Sequence, residues 1–558
     1  MHDILGKAKA ALDSVIPTSS PSPPLPPGMV ASYQHLPQPP LPSTADLPST
    51  IQDPTALDIL RYRYHHGTNL GSIYVLERWL FPSRFPKKSQ GTSELEAVKA
   101  WVHEIGEGPT KAMFEKAWAE VVTDQDIKWL KEEAKCTTVR LPIGYYDLSD
   151  PSFTRGTPFE PYDYIYSAAW ASIRSLISRL RAHSIGVLLD LHALPGGANP
   201  HDHSGTNSGV AQFFNSHSNR DMGTRCCEFI AREAKAGLDI VGLQIVNEAD
   251  WESPNLYEWY DECIQAISAI DSSLPVIISD AWNLQKAVEY ALRKNTAYPS
   301  IPTCPVLIDT HLYWAFTDKD KQKSPQQIID EVPAQLTALD GREGSILDRG
   351  AVQTIVGEYS CVLTEETWSK AGSSDRQELV RRFGNTQSKR YQERTAGAFF
   401  WTWKMDWYPG GEWGFAAQCT PQSSQPHSAT LLPSITAPPH ALLPAHEICN
   451  LLERVSHRRN ERMHAAVDQH VSYWHHLHTE KPAEHWRYEN GWKIGHQDAY
   501  VFFEGRGAEA VGQGNKIGAL ELWVLKRVRE CGMRGDQVWE FEQGLRRGVH
   551  DFCSVVGI

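Results

Sequence analysis

The chain has 558 residues, 41% hydrophobic and 22% charged, with a formal net charge of −13. These are ordinary values for a soluble globular protein, and the acidic balance argues against a nucleic-acid partner, which would favour a basic face. No stretch of 18 or more apolar residues occurs, so no membrane-spanning helix is expected.

Residues 1–16 set Ile4, Leu5, Ala8, Ala11, Leu12, Val15 and Ile16 on one helical face. Such an amphipathic helix packs on its own protein or makes a weak membrane-surface contact. Asp3, Lys7, Lys9 and Asp13 interrupt the apolar run that a signal peptide needs. Ten cysteines show neither CxxC nor framework spacing, which reads as free thiols in a reducing compartment. An intracellular, cytoplasmic location is the expectation. Residues 17–59 are rich in Pro and Ser and read as a linker without order of its own.

From 60 to 416, apolar runs alternate with amphipathic stretches. Eight strands are predicted near residues 64–69, 137–143, 186–192, 240–247, 274–279, 306–311, 352–358 and 397–403, with helical patterns between them. Eight strand–helix alternations predict an α/β fold, a (β/α)8 TIM barrel. Residues 417–443 show no period and read as a low-complexity insert. Residues 444–558 read as a helical C-terminal region with an internal repeat. WRYENGWKIGHQDAY at Trp486 matches WEFEQGLRRGVHDFC at Trp539, 53 positions later. The repeat predicts two helical units packed on each other, as a cap on the barrel or as a binding module carrying Trp486 and Trp492.

Two glutamates carry the chemistry. Glu248 ends LQIVNE and Glu358 ends VQTIVGE, each after a continuous apolar run of the kind that forms a buried parallel strand. A carboxylate at the C-terminal tip of a barrel strand faces the mouth where active sites form. Two such carboxylates are what glycoside hydrolysis uses, one as acid and one as nucleophile or base. Other predicted strand tips bring Arg140, His192, His311, Tyr313, Trp401 and Trp403. Arg140 is suited to keep a carboxylate ionised, and Asn247 to donate to a sugar 2-hydroxyl. The HDH at residues 201–203 lacks a third nearby ligand, so neither a metal nor any other cofactor is expected.

The segments HGTNLGSIYVLERW at 66–79, TVRLPIGYY at 138–146, LLDLHALPGGANPHDHSG at 188–205, IVNEAD, DTHLYW, VGEYS and FFWTWKMDW resemble glycoside hydrolase family 5, within it the fungal exo-β-1,3-glucanase branch. The resemblance spans residues 60–416. It implies a retaining mechanism with Glu248 as acid/base and Glu358 as nucleophile. It implies Arg140, His192, Asn247, His311, Tyr313 and Trp403 as pocket residues and Glu77 as the group that binds the terminal glucose. The expected substrate is a β-glucoside or β-glucan. The alternatives are a β-glucosidase acting on glucolipids and a non-catalytic sugar-binding scaffold. No oligomeric interface is legible.

Overall fold

Eight parallel strands form, seven on largely apolar runs and the first on the polar HHGTN segment. They are β1 His65–Asn69, β2 Thr138–Gly144, β3 Gly186–Ala193, β4 Gly242–Gln244, β5 Val276–Ser279, β6 Val306–Leu312, β7 Thr354–Tyr359 and β8 Gly397–Phe400. Neighbours in sequence are neighbours in the sheet, and β8 pairs with β1 to close a barrel. The computed structural model describes residues 51–342, 344–419, 437–476, 483–505 and 514–558. The predicted helix at 1–16 therefore lies outside the described residues, as do most of 17–59 and residues 420–436. Among the described residues, no helix is long and apolar enough to cross a membrane.

Among the described residues, fourteen α-helices are seven or more residues long, α1 to α14. α1 spans Ala56–Tyr62 and begins inside the segment predicted as linker, because Thr55 and Asp58 form a capping box that starts it. Three helices fill the β1–β2 connection: α2 Glu94–Ile105, α3 Glu107–Glu120 and α4 Asp124–Glu132. The outer ring continues with α5 Ala169–Ala182, α6 His217–Lys235, α7 Leu256–Asp271, α8 Leu284–Lys294, α9 Pro325–Glu331 and α10 Arg376–Arg394. The predicted insert is ordered at both edges, with a short helix at Phe415–Cys419 and a turn of 3-10 helix at Pro439–Leu442.

Four helices follow the barrel: α11 Ala445–His476, α12 His485–Glu504, α13 Leu520–Glu530 and α14 Val538–Val556. The two copies of the sequence repeat are α12 and α14, and they pack directly on each other. Glycines let their backbones touch. A Cβ at Gly544 would lie 2.0 Å from the Tyr488 carbonyl oxygen, and one at Gly491 would lie 2.1 Å from that of Phe541. These two contacts are the same contact with the copies exchanged, so the repeat forms a pseudo-two-fold pair. Trp492 is fully buried there and donates to Asp551 Oδ2 (2.9 Å), which removes it from any binding surface.

The C-terminal helices close the end of the barrel opposite the strand C-termini. Tyr64 N–H donates to Lys516 O (2.9 Å) and Gly518 N–H to Tyr62 O (2.9 Å), just ahead of β1. Glu542 accepts the backbone N–H groups of Ile346 (2.7 Å) and Leu347 (3.2 Å). Leu188, Ile277, Leu307, Ile355 and Phe399 form one apolar cluster with Tyr62, Ile517, Trp523 and Phe541. By strand alternation, Leu188 faces inward with Asp190, and Leu307 with Asp309. The barrel thus has an apolar floor shared with the C-terminal region and a polar upper layer.

Candidate active site

The polar layer is organised by Arg140, which is wholly buried on β2. Its guanidinium donates to Gln244 Oε1 (2.9 Å), Asn69 Oδ1 (2.8 Å), Asn247 Oδ1 (2.7 Å) and Glu358 Oε1 (3.1 Å). It also pairs with Asp190 Oδ2 at 3.0 Å. Burial alone would favour the neutral form. Asp190, Glu358 and Asp309 more than offset it and raise the guanidinium pKa. A fixed buried cation thus lies against one oxygen of Glu358.

Glu358 is held at both oxygens, since the Tyr313 hydroxyl donates to Oε2 (2.8 Å). Burial and the Glu358 charge push the Tyr313 phenol pKa well up, so it remains a donor. The position of Glu358 depends on its neighbours. The β6–β7 register shifts at Thr310/His311, so that His311 rather than Leu312 lies beside Glu358. Gly357 also leaves room for Asp309. A Cβ there would meet Asp309 Oδ1 at 2.2 Å, and the Gly357 N–H donates to that oxygen (2.6 Å).

Glu248 follows the short β4, where the chain leaves the ladder earlier than the predicted residue 247. Its backbone is left-handed, with φ +41°, and its carbonyl accepts from Asn199 Nδ2 (3.1 Å). Non-glycine residues in this region cluster at functional sites. Two imidazoles flank the carboxylate. His311 Nδ1 lies 2.9 Å from Oε1, and His203 Nε2 lies 3.3 Å from Oε2. Burial would raise the Glu248 pKa, but both histidines together hold it well below the usual carboxylate range. The second nitrogen of His311 meets Asp309 Oδ2 at 3.0 Å. Burial disfavours the His311 cation, yet Glu358 and Asp309 raise its pKa well above the ordinary value. His192 differs: burial lowers its pKa even though Asp190 Oδ2 is 2.7 Å from Nδ1.

These groups open onto a cavity of about 300 Å³ lined by Glu77, His192, His203, Asn247, Glu248, Tyr313 and Glu358, with aromatic walls at Trp79, Phe316, Trp401 and Trp413. That is the lower end of ligand-pocket sizes. Trp79 Nε1 donates to Glu77 Oε2 (2.9 Å), and burial raises the Glu77 pKa to about 8. The structure thus gathers Glu77, Arg140, His192, Asn247, Glu248, His311, Tyr313 and Glu358 around one space. Trp403 is the exception. It lies in the hydrophobic core stacked on Trp129 (6.3 Å between centroids), and Trp401 is the strand-eight tryptophan that lines the cavity.

Asn69, Asp190, Gln244 and Asp309 are further members of the site that the sequence reading did not single out. Asp190/His192 and Asp309/His311 are each two apart within an apolar strand, and that spacing puts both polar groups on one face. His203, Trp79, Phe316 and Trp413 sit outside the strands, where periodicity carries no signal.

A family model described as cellulase (glycosyl hydrolase family 5) matches residues 98–406. A second, described as the glucan 1,3-beta-glucosidase 3 C-terminal domain, matches residues 455–556. The chain is 30% identical over 512 residues to an uncharacterized glycosyl hydrolase of Saccharomyces cerevisiae, spanning 88% of this chain and 92% of that protein. It is 29% identical over 489 residues to glucan 1,3-beta-glucosidase 3 of Schizosaccharomyces pombe, spanning 88% and 95%. A probable glucan 1,3-beta-glucosidase A of Aspergillus clavatus is 25% identical and spans 62% of this chain and 83% of its own length. The barrel, the two paired glutamates and these matches together place the chain in glycosyl hydrolase family 5, as a glycosidase followed by a C-terminal domain of the glucan 1,3-beta-glucosidase 3 type.

Proposed function

We propose that the protein is a retaining, exo-acting β-glucosidase of the glucan 1,3-β-glucosidase kind, removing terminal β-D-glucosyl units. The observation that carries this reading is the closeness of the two carboxylates. One oxygen of Glu248, one of Glu358 and a nitrogen of His311 all lie within 4.8 Å of one another. Retaining enzymes hold their carboxyls about 5–5.5 Å apart and inverting ones about 6.5–9.5 Å, which leaves room for a water. Glu358, oriented by Arg140 and Tyr313, attacks the anomeric carbon while Glu248 protonates the departing oxygen. Glu248 then takes a proton from water, and that water releases the sugar from Glu358. Glu77 and Trp79 supply the exo character by receiving the hydroxyls of a non-reducing terminal ring. The naming of the fission-yeast relative, similar along almost its whole length, supports the β-1,3 linkage.

The test is a hydrolysis screen over aryl β-glucosides, laminari-oligosaccharides and glucolipids, with the first-formed anomer read by proton NMR. Glucose should appear first as the β-anomer from laminaribiose. Glu358→Gln should abolish turnover of every substrate. Glu248→Gln should lose about 10²–10⁴-fold on laminaribiose and far less on a 2,4-dinitrophenyl glucoside, whose leaving group needs no proton. Initial release of α-glucose, or a fully active Glu248→Gln on laminaribiose, would sink the reading.

A further inference from the structure

Glu248 is flanked by two imidazoles that differ in how freely a proton can leave them. His311 is pinned: its nitrogens meet Glu248 Oε1 (2.9 Å), Glu358 Oε2 (3.4 Å) and Asp309 Oδ2 (3.0 Å). His203 meets one carboxylate, Glu248, through Nε2 (3.3 Å), on the oxygen opposite His311. That contact is an ion pair whose alignment falls short of a hydrogen bond, and His203 Nδ1 has no partner among the described residues. The ring is nonetheless buried and faces the cavity. It is held by a short 3-10 turn at Asp202–Ser204, with Ser204 Oγ donating to His201 O (2.6 Å).

This poses a difficulty for Glu248 as an acid, because a carboxylate between two imidazolium groups is ionised when it should hold a proton. We propose that His203 stores that proton and passes it through Glu248 to the leaving oxygen. The inference rests on the reading of Glu248 as the acid/base. His203 acts through Glu248 and touches no reacting atom, so its role is to position and supply a proton. In the transfer, the His203 Nε2–H bond breaks and the Glu248 Oε2–H bond forms, leaving a neutral imidazole. Glu248 then gives the proton to the glycosidic oxygen as its bond to carbon breaks. In the second step Glu248 takes a proton from the attacking water and returns it to His203.

The surroundings agree. Burial disfavours the His203 cation, but Glu248, Glu77 and Glu358 raise its pKa to about 9. The other titratable groups facing it are His201, His192 and Asp202. The His201 ring stacks on it at 5.4 Å and the His192 ring meets it edge-on at 5.3 Å. Burial lowers the pKa of both, to about 4 for His201, so His203 is the member of this histidine cluster that carries charge. The Glu248–His203 pair thus keeps one proton well into alkaline pH, which neither a lone carboxylate nor an ordinary imidazole would do.

The experiment compares the pH dependence of kcat/KM for the wild type, His203→Asn and His203→Gln on laminaribiose and on 2,4-dinitrophenyl β-glucoside. On laminaribiose, which needs the proton, the alkaline limb should fall by at least one pH unit in both variants. On the dinitrophenyl glucoside, which does not, the limbs of variants and wild type should coincide, and measurable turnover there reports a folded site. A laminaribiose limb that stays in place overturns the proposal, as does a loss that is parallel on both substrates at every pH. Failure of the acid/base reading itself is seen separately, as a Glu248→Gln enzyme fully active on laminaribiose.

Discussion

Glu77 illustrates how one buried carboxyl couples the pocket to pH. It is buried in the cavity wall, and burial lifts its pKa from 4.5 to about 8, against the pull of His203 and the Trp79 hydrogen bond. A carboxyl whose folded pKa lies above its unfolded value stabilises the fold fully below the unfolded value. That contribution is lost as pH rises through the folded one. The window is therefore pH 4.5 to 8. Glu77→Gln, which keeps the shape and a hydrogen-bonding terminus but cannot ionise, should hold its Tm across this range better than the wild type. Thermal melts at half-unit pH steps measure this. Parallel Tm curves for the two proteins would show that Glu77 ionises freely in the folded state. Arg140 makes the complementary point, since its buried cation offsets the carboxylates of Asp190 and Glu358, and removing it would take away the guanidinium that the two share.

Pairs of elements meet at this protein's glycines. In β7, Gly357 lets the Asp309 carboxylate reach the backbone next to Glu358. In the C-terminal domain, Gly491 and Gly495 of α12 cross Gly544 and Gly548 of α14. Four glycines within two helices cost helix stability, and direct backbone packing offsets that cost. Gly544→Ala would place a methyl 2.0 Å from the Tyr488 oxygen, a backbone atom that cannot swing away. Forced overpacking of this kind destabilises by about 1–3 kcal/mol, and Gly491→Ala should cost the same, being the equivalent position. Urea unfolding midpoints measure both. Midpoints unchanged from the wild type would remove packing as the reason for the glycines.

The whole molecule is a barrel whose mouth does chemistry and whose floor is finished by the C-terminal domain. The apolar floor cluster runs without a break from Leu188 and Ile355 inside the barrel to Trp523 and Phe541 outside it. The domain is also stitched to the barrel by Glu542, by the bridge between Arg63 and Ile517, and by Arg529 donating to Thr296 O (2.6 Å). Leaving the barrel would expose to water the apolar residues that the domain shares with the barrel floor. A protease recognition sequence inserted between residues 420 and 436 tests the consequence. After cleavage, the barrel and C-terminal fragments should co-elute on a sizing column and keep full activity. Separate elution with an active barrel would make the C-terminal domain an independent module.

Much of this was legible in the residues. Apolar runs predicted most of the strands, because a strand covered on both faces is largely apolar outside the polar layer at the barrel mouth; β1, His65–Asn69, is polar and carries no such run. NE and GE marked the two glutamates, because each ends such a run. The repeat at Trp486 and Trp539 announced paired helices. Contacts between distant segments were not legible. Trp401 and Trp403 are two apart, so strand alternation puts them on the same face and cannot choose between them. The choice falls to the chain leaving β8 at Phe400, which sends Trp401 to the cavity and Trp403 to the core. His203 lies in a loop with no period, and its meeting with Glu248 follows from barrel closure. The place of the repeat beneath the barrel, rather than on its outer ring, depends on residues 516–519 pairing with residues 62–64 across more than four hundred positions of chain. Local patterns are set by each residue's own neighbours, whereas these encounters exist only once the barrel has closed and the floor has been packed.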